Sequence, residues 1–155
     1  MITPWKPEIK DLWFRQALLA DPETMAYNRA WGGTIPFPEE KWEKWYQAWL
    51  TAPEFQRYYR YLLDTDAHRF VGEIAYRLDG ERNVHLCSLI VLAGCRHRGF
   101  GSAGIRLLCG AAKANGVPAL YDDIAADNPS RFLFLKHGFE PIGQSGDAIT
   151  VKKEL

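Results

Sequence analysis

A turn that carries two glycines lies between an apolar run and a helical pattern, past the middle of this chain. The apolar run is Leu89-Ile90-Val91-Leu92, and the turn is Cys95-Arg96-His97-Arg98-Gly99-Phe100-Gly101-Ser102. A strand that passes through such a turn into a helix leaves the first backbone N–H groups of the helix without partners, and these groups hold phosphate well. Because two arginines lie beside them, the sequence predicts a local anion site at this junction.

Two common phosphate-binding loops do not fit this turn. No Gly-Lys-Ser/Thr follows it, which excludes a Walker loop. A hairpin signal, Asp79-Gly80, precedes the strand, which disfavours the parallel crossover of a dinucleotide-binding fold. Glycines at a strand–helix junction can also serve the geometry of the chain alone.

Length and charge limit the class of protein. At 155 residues without a repeat, the chain fits one domain, residues 1–155, with a substantial core. The 19 Lys and Arg residues balance the 19 Asp and Glu residues, which argues against a nucleic-acid partner. The sequence shows neither a signal peptide nor an apolar run near the ~20 residues of a membrane span, so we expect a cytoplasmic protein with no membrane partner. Three cysteines without ligand-type spacing predict neither a disulfide framework nor a metal site.

Hydrophobic periodicity predicts helices in residues 1–54 and a sheet in the rest. All six tryptophans lie in that first part, and Trp42, Trp45 and Trp49 recur at the helical spacing of a core-facing stripe. The later part indicates three antiparallel strands before the turn, then a strand–helix–strand–helix–strand order. The predicted strands span Phe55–Leu63, Phe70–Leu78, Asn83–Leu92 and Val117–Ile124, with the last ones beginning at Phe139. The expected fold is α/β (α+β), with a mixed, mostly antiparallel sheet and helices on both faces.

Two separated motifs resemble those of the GNAT N-acetyltransferase superfamily. The run from Val91 to Gly101 resembles the family's acetyl-CoA-binding signature, and the run from Asn128 to Phe139 resembles its closing helix, which begins with Asn and ends in Gly-Phe. The resemblance covers roughly residues 55 to 150. It implies a sheet whose two central strands splay apart, with 1–54 as variable acceptor-side helices and 55–155 as the acetyl-CoA-binding core.

The resemblance also implies a set of coenzyme contacts. Backbone amides around Gly99 and Gly101 would hold the pyrophosphate, because a Cβ at either position would block close approach. The strand before the turn would pair with the pantetheine arm, and Asn128 would contact pantetheine as well as cap its helix. The residues implied are Leu89, Ile90, Val91, Arg96, His97, Arg98, Gly99, Phe100, Gly101, Ser102, Asn128 and Phe134.

Direct acetyl transfer needs a base for the ammonium group of the acceptor. The resemblance favours His85, which lies six residues ahead of Val91, as the first candidate. Asp123 is the second, because some family members carry a glutamate base five residues before Asn128. Its neighbour Asp122 departs from the apolar residue usual there, and only one of two adjacent carboxylates can face the thioester. Glu73 is the third candidate, with a surface salt bridge as its alternative role.

The acid that protonates the departing thiolate is missing from its usual place. Phe134 stands where the family usually carries a tyrosine, and a phenyl ring has no proton to donate. The sequence leaves Tyr121, Tyr76, Tyr27 or water as substitutes.

The resemblance implies an acyltransferase: an acetyl-CoA-dependent N-acetyltransferase that moves the acetyl group to a primary amine by direct transfer. The alternatives are a catalytically weak acyl-CoA-binding or sensing module of the same fold, and an anion-binding domain without CoA. The expected acceptor is a small molecule. The sequence leaves open whether the protein forms a homodimer. The loop Gly32–Pro38, with Glu39, Glu40 and Asp123, suits a cationic amine that has an apolar or aromatic part.

Overall fold

A computed structural model describes all 155 residues, Met1–Leu155, as seven strands, four α-helices and short 3₁₀ segments. The strands are β1 (Ile2–Trp5), β2 (Arg57–Asp64), β3 (Arg69–Asp79), β4 (Val84–Val91), β5 (Ala119–Ala125), β6 (Glu140–Ser145) and β7 (Ala148–Glu154). The α-helices are α1 (Trp13–Ala20), α2 (Trp42–Leu50), α3 (Phe100–Ala114) and α4 (Ser130–Lys136). The 3₁₀ segments are Ile9–Asp11, Thr24–Trp31, Glu39–Lys41 and Ala93–Cys95.

All seven strands form one sheet in the order β1-β2-β3-β4-β5-β7-β6. Every neighbouring pair is antiparallel except β4 and β5, which are parallel. The mixed, mostly antiparallel sheet predicted from the sequence is confirmed. The prediction of three strands before the turn is wrong, because β1 adds a fourth at the edge beside β2. β1 has only four residues and includes Pro4, so its sequence gives little indication of a strand. Proline is tolerated in an edge strand because one side of that strand forms no hydrogen bonds to a neighbouring strand.

Two hydrophobic clusters lie on opposite faces of the sheet. Strand alternation separates them on β3, where Ile74 packs in the cluster under α3 and α4 while Ala75 packs in the cluster under α1 and α2. The second cluster includes Phe14, Leu18 and Tyr61, and the half-buried rings of Trp42, Trp45 and Trp49 pack against it. The tryptophan stripe is therefore core, and helices cover both faces as expected. No helix is both long and apolar enough to cross a membrane.

The sheet opens between its two parallel strands. The paired residues of β4 and β5 are His85 with Leu120 and Leu86 with Tyr121, and no pair follows them. Both strands continue beyond this point, to Val91 and Ala125. The splay implied by the resemblance is confirmed.

A buried ion pair joins the first helix to the sheet. The Arg15 guanidinium donates to both carboxylate oxygens of Glu73, at 3.2 and 2.8 Å, and the Tyr59 hydroxyl donates to the same carboxylate. The two charged side chains are 17% and 4% exposed. Arg15 is also enclosed by rings, with its guanidinium carbon 4.4 Å from the ring centre of Trp45. The predicted alternative role of Glu73, a salt bridge on the surface, is thus wrong, because its ion pair with Arg15 lies inside the core.

Replacing Glu73 with glutamine should destabilise the fold strongly, because it leaves the Arg15 charge buried without a counter-charge. The expected loss is about 3–5 kcal/mol of unfolding free energy, measured by urea denaturation. Glu54→Gln is the matched control, because it breaks a more exposed ion pair. The Glu54 side chain, which pairs with Arg60, is 39% exposed. That change should cost at most about 1 kcal/mol. Equal losses in the two variants would contradict the assignment.

Candidate active site

A cavity of about 730 Å³ occupies the gap between the separated strands. Its walls come from β4, β5, the turn before α3, the start of α4 and the 3₁₀ segment Thr24–Trp31. Every residue predicted to contact the coenzyme lines this cavity except Arg98, which is exposed. The two sequence motifs are therefore brought together around one space.

The turn presents a continuous row of unused backbone donors. None of the N–H groups from His97 to Ser102 donates a hydrogen bond to another backbone group or to a side chain of the protein. The row curves because His97 and Gly99 have left-handed backbone angles, with φ of 64° and 81°. Successive N–H groups that converge at the start of a helix as long as α3 form a site for an anion such as a pyrophosphate.

The two glycines of the turn are needed for different structural reasons. A Cβ on Gly99 would meet no atom within 4 Å, so this residue is needed for its positive φ. A Cβ on Gly101 would lie 2.7 Å from the Leu133 side chain, so its small size lets α3 pack against α4. The close approach of the ligand that was expected to need both glycines stays a prediction.

Hydrogen bonds tie the turn to the N-terminal part of the chain. The Arg96 guanidinium donates to the Thr24 carbonyl oxygen at 2.9 Å, and the Thr24 hydroxyl accepts from the Ala93 N–H at 3.0 Å. On the other side, the Ser102 hydroxyl lies 2.9 Å from Nε2 of His137. Arg96 is thus committed to holding the turn against the segment Thr24–Trp31, in addition to lining the cavity.

Asn128 caps α4 and lies at the wall of the cavity, while its contact with pantetheine stays a prediction. Its side-chain oxygen accepts from the Ser130 N–H at 3.0 Å, which caps α4, and the residue also lines the cavity. Phe134 is 2% exposed and packs edge-on against Phe139, with ring centres 5.0 Å apart. It therefore contributes an apolar wall with no hydroxyl.

The adjacent carboxylates on β5 have opposite environments. Asp123 accepts from Arg82 at 2.6 Å and from the Thr150 hydroxyl at 2.7 Å, and the hydrogen bond from Arg82 holds its pKa below the usual range. Asp122 has no ion-pair or side-chain hydrogen-bond partner. Burial raises the pKa of Asp122 well above its usual range, and the negative charge of Asp123 adds to the effect. Asp122 is therefore the carboxyl of this pair that binds a proton more readily.

Three predicted catalytic residues lie outside the cavity. His85 is 4% exposed in the closed part of the sheet, with Nε2 2.7 Å from the Phe55 carbonyl oxygen. Glu73 is held by Arg15 in the core. Tyr121 lies under Lys152, whose Nζ is 5.4 Å from the ring centre. The structure brings none of these side chains to the gap between the strands, whereas Asp123 and Tyr27, which were also predicted candidates, reach its lining.

Tyr27 and Asp122 are the functional candidates that sequence reasoning underrated. Tyr27 lines the cavity, and burial raises the pKa of its hydroxyl above the usual value, so the hydroxyl stays protonated at neutral pH. Asp122 lies between the buried Leu120 and Ile124 on one side of β5. A carboxylate in an otherwise apolar stripe is the sequence signal that could have identified it.

A second cavity of about 440 Å³ lies on the α2 side of the sheet. It shares Tyr27, Trp31, Ser88, Asp122 and Asp123 with the first, so the gap between the strands opens toward both. The predicted acceptor loop Gly32–Pro38 lines neither cavity, nor do Glu39 and Glu40. The ring of Phe37 is instead buried against Trp42 and Trp45, so this loop serves the core.

Comparison with known proteins agrees with the geometry. The profile of the acetyltransferase (GNAT) family matches residues 15–139. This chain belongs to the GNAT family. No curated protein sequence matches it, but solved structures of GNAT proteins share its fold.

Three solved structures illustrate the likeness. The GNAT domain of S. lividans PAT has a TM-score of 0.78 at 14% identity, covering 99% of this chain and 89% of that one. A phosphinothricin acetyltransferase from Sinorhizobium meliloti, in complex with AcCoA, has a TM-score of 0.76 at 17% identity, covering 99% and 88%. A ribosomal-protein-alanine N-acetyltransferase from Brucella melitensis has a TM-score of 0.76 at 20% identity, covering 100% and 99%. At these identities the likeness establishes the GNAT fold.

Neutralising the two β5 carboxylates should change stability in opposite directions. The raised pKa of Asp122 means that the folded state loses stability as pH rises from the usual carboxyl range through that raised pKa. Asp122→Asn should therefore raise Tm at pH 7. The pKa of Asp123 is lowered, so this residue stabilises the fold above the usual carboxyl pKa. That stabilisation is lost as pH falls through the lowered pKa.

Asp123→Asn should accordingly lower the free energy of unfolding at pH 7, by no more than about 1 kcal/mol since the pair is partly exposed. Thermal melts of both variants between pH 4 and pH 8 would measure the two effects. A fall in Tm for Asp122→Asn at pH 7 would contradict the assignment.

Proposed function

We propose that this GNAT protein is an acetyl-CoA-dependent N-acetyltransferase that transfers the acetyl group directly to a primary amine. The observation that carries the proposal is the row of six unused N–H groups, His97 to Ser102, at the edge of a cavity between separated strands. These donors fit a pyrophosphate, and the gap fits an extended pantetheine arm. The AcCoA in the Sinorhizobium enzyme supports the same ligand here.

The coenzyme would enter from the α3 side. Its pyrophosphate would accept hydrogen bonds from the turn, while the backbone of Leu89, Ile90 and Val91 would pair with the pantetheine amides. Beyond Leu86, strand β4 has no pairing partner in β5, so an extended ligand arm can supply one. The thioester would then lie beside Asp122.

Asp122 is the base in this proposal, in place of His85. Its carboxylate takes a proton from the acceptor ammonium group, and the amine nitrogen forms a bond to the thioester carbonyl carbon. The tetrahedral intermediate then expels the CoA thiolate as the carbon–sulfur bond breaks, and the nitrogen gives up its second proton, which balances the proton that the thiolate takes up. A carboxyl whose pKa is raised by burial accepts this proton more strongly than an exposed one.

Tyr27 supplies the proton for the thiolate in the same proposal. It lines the cavity that Asp122 also lines, and its hydroxyl is protonated at neutral pH. It would thus replace the tyrosine that is absent at position 134, where the phenyl ring of Phe134 forms a wall. A thiolate is a stable leaving group, so we expect Tyr27→Phe to slow turnover without abolishing it.

If the turn before α3 binds the pyrophosphate, acetyl-CoA should raise Tm, and one substitution in the turn should remove this shift. At about a hundredfold excess over its dissociation constant, acetyl-CoA should add about 2.7 kcal/mol of stability, or roughly 5–10 °C in Tm. Gly99→Asp should abolish the shift, because it puts a carboxylate against the unused N–H groups.

Gly99→Asn is the matched control for that variant. Asn and Asp have the same shape and both tolerate a positive φ, and a side chain at Gly99 starts in open space. Gly99→Asn should retain most of the shift. Equal shifts in the two variants would contradict the pyrophosphate assignment, and no shift in the unmodified protein would refute coenzyme binding.

The base assignment predicts different kinetics for the two neighbouring carboxylates. Asp122→Asn should lower kcat by about 100-fold or more, because general-base catalysis is lost. It should also remove the rise of kcat with pH, which for the unmodified protein is expected above the usual carboxyl range since the pKa of Asp122 is raised.

Asp123→Asn is the matched control, because Asp123 directly follows Asp122 in the sequence. Arg82 and Thr150 hold its carboxylate, so this variant should keep kcat within a few-fold and keep the pH profile. The measurement is CoA release with polyamines, amino acids, aminoglycosides and peptide N-termini as acceptors. If His85→Gln lost activity and Asp122→Asn did not, His85 would be the base.

A catalytically weak acyl-CoA sensor is the second candidate, favoured by the buried phenyl ring of Phe134 at the position of the usual acid. The same measurements separate the two functions. A full acetyl-CoA thermal shift with no CoA release from any acceptor class would favour the sensor.

A further inference from the structure

The second cavity gives an acceptor a way to the gap between the strands. Its floor on the sheet includes Ala75 on β3 and, directly opposite on β4, Ser88. Ala75 belongs to the cluster under α1 and α2, so both side chains face the α2 side. In the proposed function the coenzyme enters from the α3 side, which leaves the α2 side for the acceptor.

Trp31 has a large ring that no other aromatic ring covers. Each of the other five tryptophans contacts an aromatic neighbour, whereas Trp31 contacts none. Trp31 belongs to neither hydrophobic cluster and is 58% exposed, yet it lines both cavities. Because burial of apolar surface is favourable, this wall favours a ligand that packs on the ring.

The backbone that carries Trp31 is held by hydrogen bonds. Trp31 ends the segment Thr24–Trp31, and Gly32 and Gly33 follow it with left-handed φ of 107° and 74°. The Gly33 N–H donates to the Asn28 carbonyl oxygen at 2.9 Å, and the Asn28 side chain donates to the Gly33 carbonyl oxygen at 2.8 Å. A ligand that packs on the ring therefore needs to order little of the backbone, which favours binding.

Trp31 lies at the wall of the space where the amine must react. The residues that line both cavities include Trp31, Tyr27, which is the proposed acid, and Asp122, which is the proposed base. A group attached to an amine in the gap extends along the α2 side, where Trp49 adds a second apolar wall. Trp49 is held there by stacking on Trp45, with ring centres 6.1 Å apart.

Positive charge lies along the outer part of this cavity. Arg77 faces the α2 side with a side chain that is 47% exposed, and the 4.0 Å to its carboxylate neighbour Asp79 is too long for a hydrogen bond. Arg57, its cross-strand neighbour on β2, adds a second guanidinium. The Asp123 carboxylate is already paired with Arg82. A second ammonium group on the acceptor would therefore be repelled here.

We propose that the acceptor is a primary monoamine that carries an aromatic or similarly flat apolar group, and that the Trp31 ring selects it. This inference rests on the proposed transferase function, and it names the class of substrate. The amine enters the gap between β4 and β5, and the flat group packs on the Trp31 ring. Arg77 disfavours acceptors with a second positive charge.

The first test compares CoA release with phenethylamine, pentylamine and diaminobutane. Phenethylamine has a ring in place of part of the pentylamine chain, and diaminobutane has an ammonium group in place of the pentylamine methyl group. The unmodified protein should acetylate phenethylamine with about tenfold or greater kcat/KM than pentylamine, through a lower KM. It should acetylate diaminobutane less well than pentylamine. Equal values for phenethylamine and pentylamine, or a preference for diaminobutane, would overturn the proposal.

Trp31→Ala should remove the preference by raising KM for phenethylamine about tenfold, while kcat/KM for pentylamine stays within a few-fold. Trp31→Phe retains a ring and should keep most of the preference. A preference that survives in Trp31→Ala would overturn the role of Trp31. A rise in KM for acetyl-CoA that affects both amines equally would overturn it too, because the ring would then serve the coenzyme.

Trp13→Ala is the matched control for the tryptophan variant. Trp13 is 55% exposed, close to the exposed fraction of Trp31, and it lines neither cavity. This variant should keep the preference for phenethylamine. Loss of the preference in both variants would show that it does not depend on contact with Trp31, and would overturn the proposal.

Arg77→Gln should raise kcat/KM for diaminobutane relative to pentylamine severalfold, because it removes a positive charge from the wall of the cavity. Arg69→Gln is its matched control, since Arg69 is an exposed arginine on the same strand that lines neither cavity. That variant should leave the ratio unchanged. Equal changes in the two variants would overturn the role of Arg77 in charge selection.

A binding measurement separates failure of this proposal from failure of the transferase. Calorimetry with CoA present would compare the acetamides of phenethylamine and pentylamine, which need no catalysis. Tighter binding of the phenethyl compound by about tenfold, lost in Trp31→Ala, supports the aromatic subsite even if no acceptor is acetylated. Equal binding of the two compounds refutes the subsite, while the acetyl-CoA thermal shift and CoA release with other amines report on the transferase independently.

Discussion

Two neighbouring strands in the middle of the sheet pair at Leu86 and Tyr121 and then separate, and the rest of the site depends on this opening. A sheet normally satisfies its backbone groups through its ladders, so separated strands need another partner. The cavity between them supplies the space for one. The same opening connects the two faces of the sheet, because both cavities share Asp122 and Tyr27. A ligand on the α3 side and a ligand on the α2 side can therefore meet at a single point.

The motif-bearing half of the fold could be predicted from the sequence because its signals are local. The turn before α3, the Asn128 cap and the Gly-Phe after α4 each specify a backbone conformation within a few residues. The edge strand β1 lacks such a signal, since four residues with a proline do not alternate clearly. Its pairing with β2 is a contact between distant parts of the chain, which periodicity does not report.

The catalytic candidates were harder to predict because their roles depend on where the strands separate. His85 is on the predicted strand, but it lies in the part of β4 that still pairs with β5. One residue of register decides between Asp122 and Asp123, since adjacent side chains lie on opposite faces. β5 has buried residues on both faces, Ala119 and Leu120 among them, so its pattern alone does not show which face meets the gap.

Thr24 connects the two halves of the molecule in a way that bears on how such a protein changes over evolutionary time. The hydrogen bonds from the turn and its preceding segment to residues 1–54 both end on this one residue. Helices α1 and α2 otherwise meet the sheet through a core of their own. We expect that substitutions in the N-terminal part can alter acceptor choice gradually, without a stage at which the anion cradle is lost, provided that Thr24 is kept.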